Sequence, residues 1–248
     1  MDALIIAAGY GSRLRDISDS KPMTPVAGVP LLELGVRQAR AAGAARIVVA
    51  TGHDAERLEA ALPALAARCG IAIDAARVDD WSKPNGWSVM AGAARIDGDY
   101  LLMMADHIFS GSILTQLARQ GGADRGVTLA IDRRIDNPLV DPDDATWVQT
   151  DPHGFISAIG KTIAAYDAVD CGAFLATPEL ASAIGAAIAA GKAGSLSDGM
   201  QALADARRAA TMEIEGAWWL DVDDPRAHAL AEQHAPRELP EIYGAING

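Results

Sequence analysis

Cysteine is nearly missing. Cys69 and Cys171 are the only two in 248 residues, and they lie in unrelated contexts without metal-like spacing. The composition therefore gives no basis for a disulfide framework or a structural zinc site, and it predicts two reduced thiols in a cytoplasmic protein. No apolar run approaches the roughly 20 residues that a bilayer span needs. The N-terminus reads Met1-Asp2-Ala3-Leu4-Ile5-Ile6, with no basic leader and no cleavage site, so neither export nor direct membrane insertion is expected. Positive charge is also scarce: 21 Lys and Arg stand against 33 Asp and Glu, for a formal net charge of -12. Such a surface repels the phosphates of nucleic acid and anionic lipid, which count as poor partners. An anionic small substrate would need its own patch of Lys, Arg or metal. Aromatics make up only 5% of the chain while Ala is abundant, which points to helices packed through small side chains.

Internal repeats and low-complexity linkers are absent too, and what remains alternates regularly. Residues 3–8 are a short apolar run ending in glycine, which suits a strand buried on both faces. A helix over 31–42 stopped by Gly43, a strand over 46–50, a helix from an Asp54 cap to about Arg68, and a strand from Ile71 follow. A helix near 87–95 precedes another buried strand, Tyr100–Ala105. This rhythm predicts an α/β protein: a three-layer αβα sandwich around a doubly wound, mixed but mostly parallel sheet. After residue 120, strands at 126–131, 145–150, 154–159 and 169–176 come with less helix between them. Helices at 178–190 and 197–208, a strand pair within 211–222 and a helix from Pro225 complete the pattern. The reading is one domain over 1–235, with a nucleotide-binding half (about 1–120) and an acceptor-binding half (about 121–235). Residues 236–248 carry two prolines and are left as either a loose arm or a contact in a homodimer.

Gly9-Tyr10-Gly11-Ser12-Arg13 follows the first strand directly. In open α/β sheets ligands bind beyond the carboxyl ends of the strands, and glycines there let several N–H groups converge on an anion. Two familiar phosphate loops do not fit. A dinucleotide fingerprint would need a small residue where Leu14 stands and an acid where Ala50-Thr51-Gly52 stands, and no Gly-Lys-Ser/Thr triplet completes a Walker loop. Arg13 supplies a fixed cation instead. Lys21 follows on a stretch stiffened by Pro22, Pro25 and Pro30, which lowers the entropy cost of holding one ammonium in place.

These two stretches resemble the signature of the nucleotide-diphosphosugar transferase superfamily, Leu-Ala-Ala-Gly-x-Gly-x-Arg-Leu followed by Pro-Lys-x-Leu-x-x-Val-x-Gly-x-Pro-Leu. Here they read Ile6-Ala7-Ala8-Gly9-Tyr10-Gly11-Ser12-Arg13-Leu14 and Ser20-Lys21-Pro22-Met23-Thr24-Pro25-Val26-Ala27-Gly28-Val29-Pro30-Leu31, with Ser20 in place of the usual proline. Later stretches look most like the myo-inositol-1-phosphate cytidylyltransferase branch. They are Asn85-Gly86-Trp87-Ser88-Val89, Met104-Ala105-Asp106-His107, Ala130-Ile131-Asp132-Arg133-Arg134, Ile159-Gly160-Lys161, Val169-Asp170-Cys171-Gly172-Ala173-Phe174 and Leu196-Ser197-Asp198-Gly199. Cys171 stands where the branch usually has Thr. The resemblance implies a Rossmann-like nucleotidyltransferase fold and a Mg²⁺-dependent reaction. A nucleoside triphosphate, CTP, would be coupled to a small phosphorylated alcohol, inositol 1-phosphate, to give CDP-inositol and pyrophosphate.

Asp106 ends an otherwise apolar strand and should emerge at the carboxyl edge of the sheet. In Leu220-Asp221-Val222-Asp223-Asp224-Pro225, Asp224 suits a helix cap before Pro225, which leaves Asp221 and Asp223 free on one face if the segment is extended. One of them facing Asp106 would make a hard oxygen pocket suited to Mg²⁺. The resemblance implies the same pairing and allows either acid, with Asp223 favoured. His107 either touches substrate or is structural. Arg13, Lys21 and the N–H groups of residues 9–12 (Gly9, Gly11 and Ser12 among them) would hold the triphosphate. Asn85, Gly86 and Ser88, with the backbone at Ala7 and Ala8, would read the base. The resemblance points to Lys161 for the acceptor phosphate and to Asp132, Arg133 and Asp170 for the polyol hydroxyls. No Ser-His-Asp or Cys-His arrangement competes with this scheme. Two alternatives stay open. The acceptor could be phosphocholine, 2-aminoethylphosphonate or a sugar 1-phosphate, and Trp81, Trp87, Trp147, Trp218 and Trp219 do not exclude a box for a cationic headgroup. Or the chain could be a nucleotide-binding relative without catalysis.

Overall fold

The apolar run that opens the chain has two faces to bury, and it buries both. In the computed structural model, which describes residues 1–122 and 124–244, this run is β1 (Asp2–Ile6). Ala3 and Ile5 pack into one core layer and Leu4 and Ile6 into another, as the alternation of side chains along a strand requires. Two 3₁₀ turns, Ser12–Leu14 and Lys21–Met23, lead to a short hairpin of β2 (Pro25–Val26) and β3 (Val29–Pro30). Then come α1 (Leu31–Ala41), β4 (Arg46–Thr51), α2 (Ala55–Cys69), β5 (Ala72–Arg77), α3 (Gly86–Ala93), β6 (Tyr100–Met104), β7 (His107–Phe109) and α4 (Gly111–Leu117). The second half adds β8 (Val127–Asp132), β9 (Trp147–Thr150), β10 (Ile156–Gly160), β11 (Ala168–Ala176), α5 (Pro178–Ala189) and α6 (Leu196–Asp205). It ends with β12 (Ala209–Glu213), β13 (Trp219–Asp221), α7 (Pro225–Glu238) and α8 (Pro240–Tyr243).

The central sheet runs β10-β9-β11-β6-β1-β4-β5, with β8 and β12 attached beyond β11. Strands β5, β4, β1 and β6 are parallel, so their carboxyl ends meet at one edge. Antiparallel pairing enters with β11, whose register shifts between Asp170 and Phe174. Helices α1, α2 and α4 cover one face through residues such as Val36, Leu62 and Leu114, and α3, α5 and α6 cover the other through Val89, Ile184 and Met200. This is the expected three-layer αβα sandwich with a mixed sheet.

Three local expectations change. Asp54 precedes α2 but sits in the left-handed region (φ 52) and makes no side-chain capping bond, so that helix starts without a cap. The two strands within 211–222 do not pair with each other. β12 lies parallel to β8 in the central sheet, whereas the turn at Glu215-Gly216 sends β13 out to pair with β7, a strand that the sequence pattern did not predict. Residues 236–244 are not a loose arm. They finish α7 and form α8, and Leu239, Ile242 and Tyr243 are buried in a third core cluster with the β2–β3 hairpin. The Tyr243 hydroxyl donates to Val26 O at 2.8 Å. Residues 245–248 of the expected arm lie outside the described residues. Asp224 does cap α7, accepting from Ala227 N at 2.8 Å with Pro225 at the first helical position.

Glu33 is the charged residue on which α1 and α2 converge. It is buried, yet it accepts from Arg37 at 2.7 Å and from Arg68 at 2.9 Å. Burial works to raise its pKa, but the hydrogen bonds and charges of Arg37 and Arg68 overcome that and hold it below its ordinary value of 4.5. A carboxyl whose folded pKa is depressed contributes stability above its unfolded pKa and loses it as pH falls through the folded one. Glu33→Gln should therefore lower stability at pH 7 by about 1–3 kcal/mol. In denaturant titrations the gap from wild type should be constant between pH 6 and 8 and close below about pH 4. A gap that persists unchanged in acid would show that charge on Glu33 is not its source.

Candidate active site

Residue pairing in the parallel sheet brings the two halves of the site to one edge. Ile6 pairs with Met104, and Ala105 N donates to Ile6 O at 3.0 Å, so the glycine loop after β1 and the turn at Asp106 leave the sheet side by side. Among the described residues, the N–H groups of Gly9, Tyr10 and Gly11 find no backbone acceptor, as an anion cradle requires. Gly11 has φ +62, and a Cβ there would lie 2.4 Å from the Cβ of Lys21. Only glycine lets the lysine approach the loop so closely.

The acids far apart in the chain meet because β13 pairs with β7. Asp221 is opposite His107, and Val222 N donates to Asp106 O at 2.9 Å. Lys21 Nζ lies 2.6 Å from Asp106 Oδ2 and also bonds Asp223 Oδ1. Arg13 reaches Asp223 as well, and it lies 2.5 Å from Asp144, whose other oxygen is bonded by Lys161. Three cations from three separate segments are thus interleaved with carboxylates. Asp144 was missed in the sequence, although the run Asp141-Pro142-Asp143-Asp144 between two strands is a visible acidic signal.

Two cavities open at this edge. One is lined by Ala7, Ala8, Gly9, Gly11, Lys21 and Ser88, and the other by Arg13, Asp144, Lys161, Asp170, Asp221 and Asp223. Asn85, Met104 and Asp106 line both and form their shared wall. Asn85 uses its carbonyl oxygen to accept from Leu196 N at 2.8 Å, which leaves its NH₂ for a ligand.

Four expected site residues lie elsewhere. Ser12 and Gly86 line neither cavity. Ser12 opens an exposed 3₁₀ turn, and a Cβ on Gly86 would sit 2.3 Å from Gly194 O, so this glycine serves close packing of α3 on the loop before α6. Asp132 is only 1% exposed, and its carboxylate is used up by Arg134, Asn137 and Trp219 Nε1 (2.9 Å). Arg133 points along the sheet to Glu213 and Asp167. Neither faces a polyol, because β8 ends short of the cavity and its terminal carboxylate serves the loop that follows.

The electrostatics of the shared wall are unusual for a surface cleft. Burial opposes charge on Asp106, but Lys21 and His107 hold its carboxyl well below the usual range. His107 Nδ1 donates to Asp106 Oδ1 at 2.9 Å. Burial works against an imidazolium at His107, yet Asp221, Asp106 and Asp170 together raise its pKa to about 9. Its ring lies near-parallel to Trp219 and Phe109, over Gly172, where a Cβ would fall 2.4 Å from the imidazole. Burial pushes Asp170 up to about 6 against the Gly172 N–H, and burial with the charge of Asp106 raises Asp221.

These residues suit a divalent cation. One oxygen from each of Asp144, Asp221 and Asp223 lies within 4.8 Å of the others, and Asp106, His107 and Asp221 form a second such group. Asp221 belongs to both. Among the described residues its buried Oδ1 has no hydrogen-bond partner, only the His107 imidazole 3.7 Å away, a costly state for a carboxylate that a cation would relieve.

Comparison with known proteins places this edge in context. The chain matches the MobA-like NTP transferase domain over residues 3–203. It belongs to that family. A bifunctional IPC transferase and DIPP synthase of Rubrobacter xylanophilus is 32% identical over 234 residues, covering 93% of this chain and 51% of that protein. One from Aquifex aeolicus is 27% identical over 234 residues, covering 94% of this chain and 51% of that protein. The chain therefore spans about half the length of these curated relatives. The inositol-1-phosphate CTP transferase from T. maritima superposes with a TM-score of 0.78 at 22% identity, covering 94% of this chain and 95% of that one. A UDP-glucose pyrophosphorylase complexed with UDP-glucose gives the same TM-score at 18% identity, covering 96% and 100%. Both confirm the nucleotidyltransferase fold. No described helix is long and apolar enough to cross a membrane.

The saturated carboxylate of Asp132 gives a direct test of its corrected role. Asp132→Ala orphans the Trp219 indole N–H and frees Arg134, and should cost about 2–4 kcal/mol of stability. The retained folded fraction should keep the wild-type KM for the acceptor. A raised acceptor KM at unchanged stability would return Asp132 to the binding site.

Proposed function

We propose that this chain is a cytidylyltransferase that couples CTP to a phosphorylated polyol, inositol 1-phosphate, and releases CDP-inositol and pyrophosphate. The observation that carries the reading is the shared wall: a glycine-loop cavity and an acid-rich cavity meet at Asp106, with Lys21 on Asp106 from one side and Arg13 and Lys161 on Asp144 in the other. Two cavities joined at a carboxylate suit a reaction that joins two phosphates. The choice of CTP and inositol 1-phosphate follows the likeness to the inositol-1-phosphate CTP transferase of T. maritima.

In this mechanism the triphosphate lies along Gly9–Arg13. Its oxygens accept from the free loop N–H groups, from Arg13 and from Lys21, which exchange their carboxylate partners for phosphate. Asn85, Ser88 and the backbone at Ala7 and Ala8 line the base end. Lys161 leaves Asp144 to bind the acceptor phosphate, and Asp170 accepts from polyol hydroxyls. An acceptor phosphate oxygen attacks the α-phosphorus in line. The bond from that phosphorus to its bridging oxygen breaks, and the electron pair leaves with pyrophosphate. The nucleophile is already an anion at neutral pH, so no general base is required, and alignment and charge neutralisation do the rest. Asp106, Asp221 and Asp223 with Asp144 would hold Mg²⁺, which when bound would supply positive charge to offset that of the phosphates.

Lys21→Ala and Asp106→Ala should each lower turnover at least about 100-fold, as loss of one preorganised group does. Near-normal turnover in either variant, with wild-type circular dichroism, would refute the scheme. Lys161→Ala should raise KM for the acceptor at least about tenfold while leaving KM for the nucleotide nearly unchanged.

The acceptor is tested separately. A panel of inositol 1-phosphate, phosphocholine, 2-aminoethylphosphonate and sugar 1-phosphates, crossed with each triphosphate and scored by pyrophosphate release, should peak at CTP with inositol 1-phosphate. A peak elsewhere replaces the acceptor but keeps the reaction. Nucleotide binding without turnover across the panel supports a non-catalytic relative.

A further inference from the structure

A cluster of rings at the mouth of the glycine-loop cavity is left over by the phosphate chemistry. Trp81 lines that cavity but is 44% exposed, and it is the aromatic residue among the lining side chains. Large exposed aromatics are usually loosely held, whereas this one is braced. The indole of Trp81 lies near-parallel to the Tyr10 ring, 6.1 Å between centroids and 21° between planes. His53 meets both edge-on, at 5.0 Å from Trp81 and 4.7 Å from Tyr10. The Arg15 guanidinium lies over Tyr10 at 4.3 Å, and its Nη2 is 3.3 Å from His53 Nε2.

The backbone around Trp81 is shaped for the same end. Asp80 Oδ1 accepts from Ser82 N at 3.1 Å and from its hydroxyl at 2.6 Å, and Val78 N donates to Thr51 O at 2.8 Å. Gly52 allows the close approach: a Cβ there would lie 2.7 Å from Trp81 Cβ and 2.9 Å from Ala8 O. The turn bearing the indole is therefore held against the glycine loop itself. The three rings stand too close together to admit a cation between them, and Arg15 repels one. The cluster is not a box for a quaternary ammonium.

From this geometry we propose that Trp81 is the stacking surface for the nucleobase, braced from outside by Tyr10 and His53 so that the base closes the cavity mouth. The inference rests on the nucleotide reading of this cavity. Hydrogen-bonding groups at Asn85 and Ser88 read the edge of a base but offer its face nothing. A planar ring placed against the indole gains dispersion contact and covers exposed aromatic surface. Stacking of this kind tolerates any base, so Trp81 sets affinity while the edge contacts set identity.

The test measures binding by calorimetry rather than turnover, with CTP and with inorganic tripolyphosphate, on the full chain carrying Trp81→Ala or Trp81→Phe. Trp81→Ala should weaken CTP binding about 5- to 100-fold, the range for one base–aromatic contact, and leave tripolyphosphate within about twofold. Trp81→Phe should restore most of the CTP affinity. Saturating CTP should quench part of the tryptophan fluorescence in the wild type, and that part should vanish in Trp81→Phe. Unchanged CTP affinity in Trp81→Ala overturns the inference, as does an equal loss for CTP and tripolyphosphate. A wild-type chain that binds no CTP at all overturns the nucleotide reading, and this inference with it.

Discussion

The arrangement depends on one electrostatic constraint: carboxylates brought within 4.8 Å of one another must be neutralised by something. Like charges about 4 Å apart repel by roughly 4 kcal/mol even at an effective dielectric near 20. Asp106, Asp144 and Asp223 escape that cost in the ligand-free protein because Lys21, Arg13 and Lys161 are folded in among them, and Asp221 leans on the His107 imidazole 3.7 Å away. The same three cations are those that a triphosphate and an acceptor phosphate would claim. In the proposed reaction, ligand-free and loaded states would thus use one set of charges with different partners.

The fold's contribution is to let residues more than 100 positions apart share those charges without long, flexible reach. Parallel pairing of β1 with β6 puts the glycine loop and Asp106 at one edge. The two-stranded β7–β13 sheet then returns Asp221 and Asp223 to the same place. Cover from α7 and α8, with Leu239 and Tyr243 buried against the β2–β3 hairpin, fixes the segment that carries Lys21. The C-terminal helices therefore act on the site indirectly, by making the lysine-bearing loop part of a core.

Most of the sandwich was legible in the sequence because buried parallel strands are written as short apolar runs and helices as capped periodic ones. That Gly11, Lys21 and Asp106 would gather at one sheet edge was legible because a glycine turn and a lone acid after buried strands are local signals. What escaped the reading was tertiary. Asp132 looked like an exposed acid at a strand end, and nothing nearby in sequence reveals that Trp219 donates to it across 87 positions. Asp144 looked like one of several loop acids, and only folding brings Arg13 and Lys161 onto it. β7 escaped because His107–Phe109 is only three residues long and its pairing partner β13 lies more than 100 positions away.

In the proposed reaction the charges do not balance on protein groups alone. Asp106, Asp144, Asp221, Asp223 and Asp170 face Arg13, Lys21, Lys161 and the His107 imidazolium before any ligand arrives, so acids already outnumber cations. A triphosphate and an acceptor phosphate bring several more negative charges and no positive ones. The overall charge of -12 offers no relief at longer range. The protein's own cations therefore cannot neutralise the reacting complex, whatever rearrangement they undergo. The excess acid that would be a defect in a purely structural cluster becomes intelligible if the carboxylates hold a divalent ion, which would supply the positive charge that two approaching anions require.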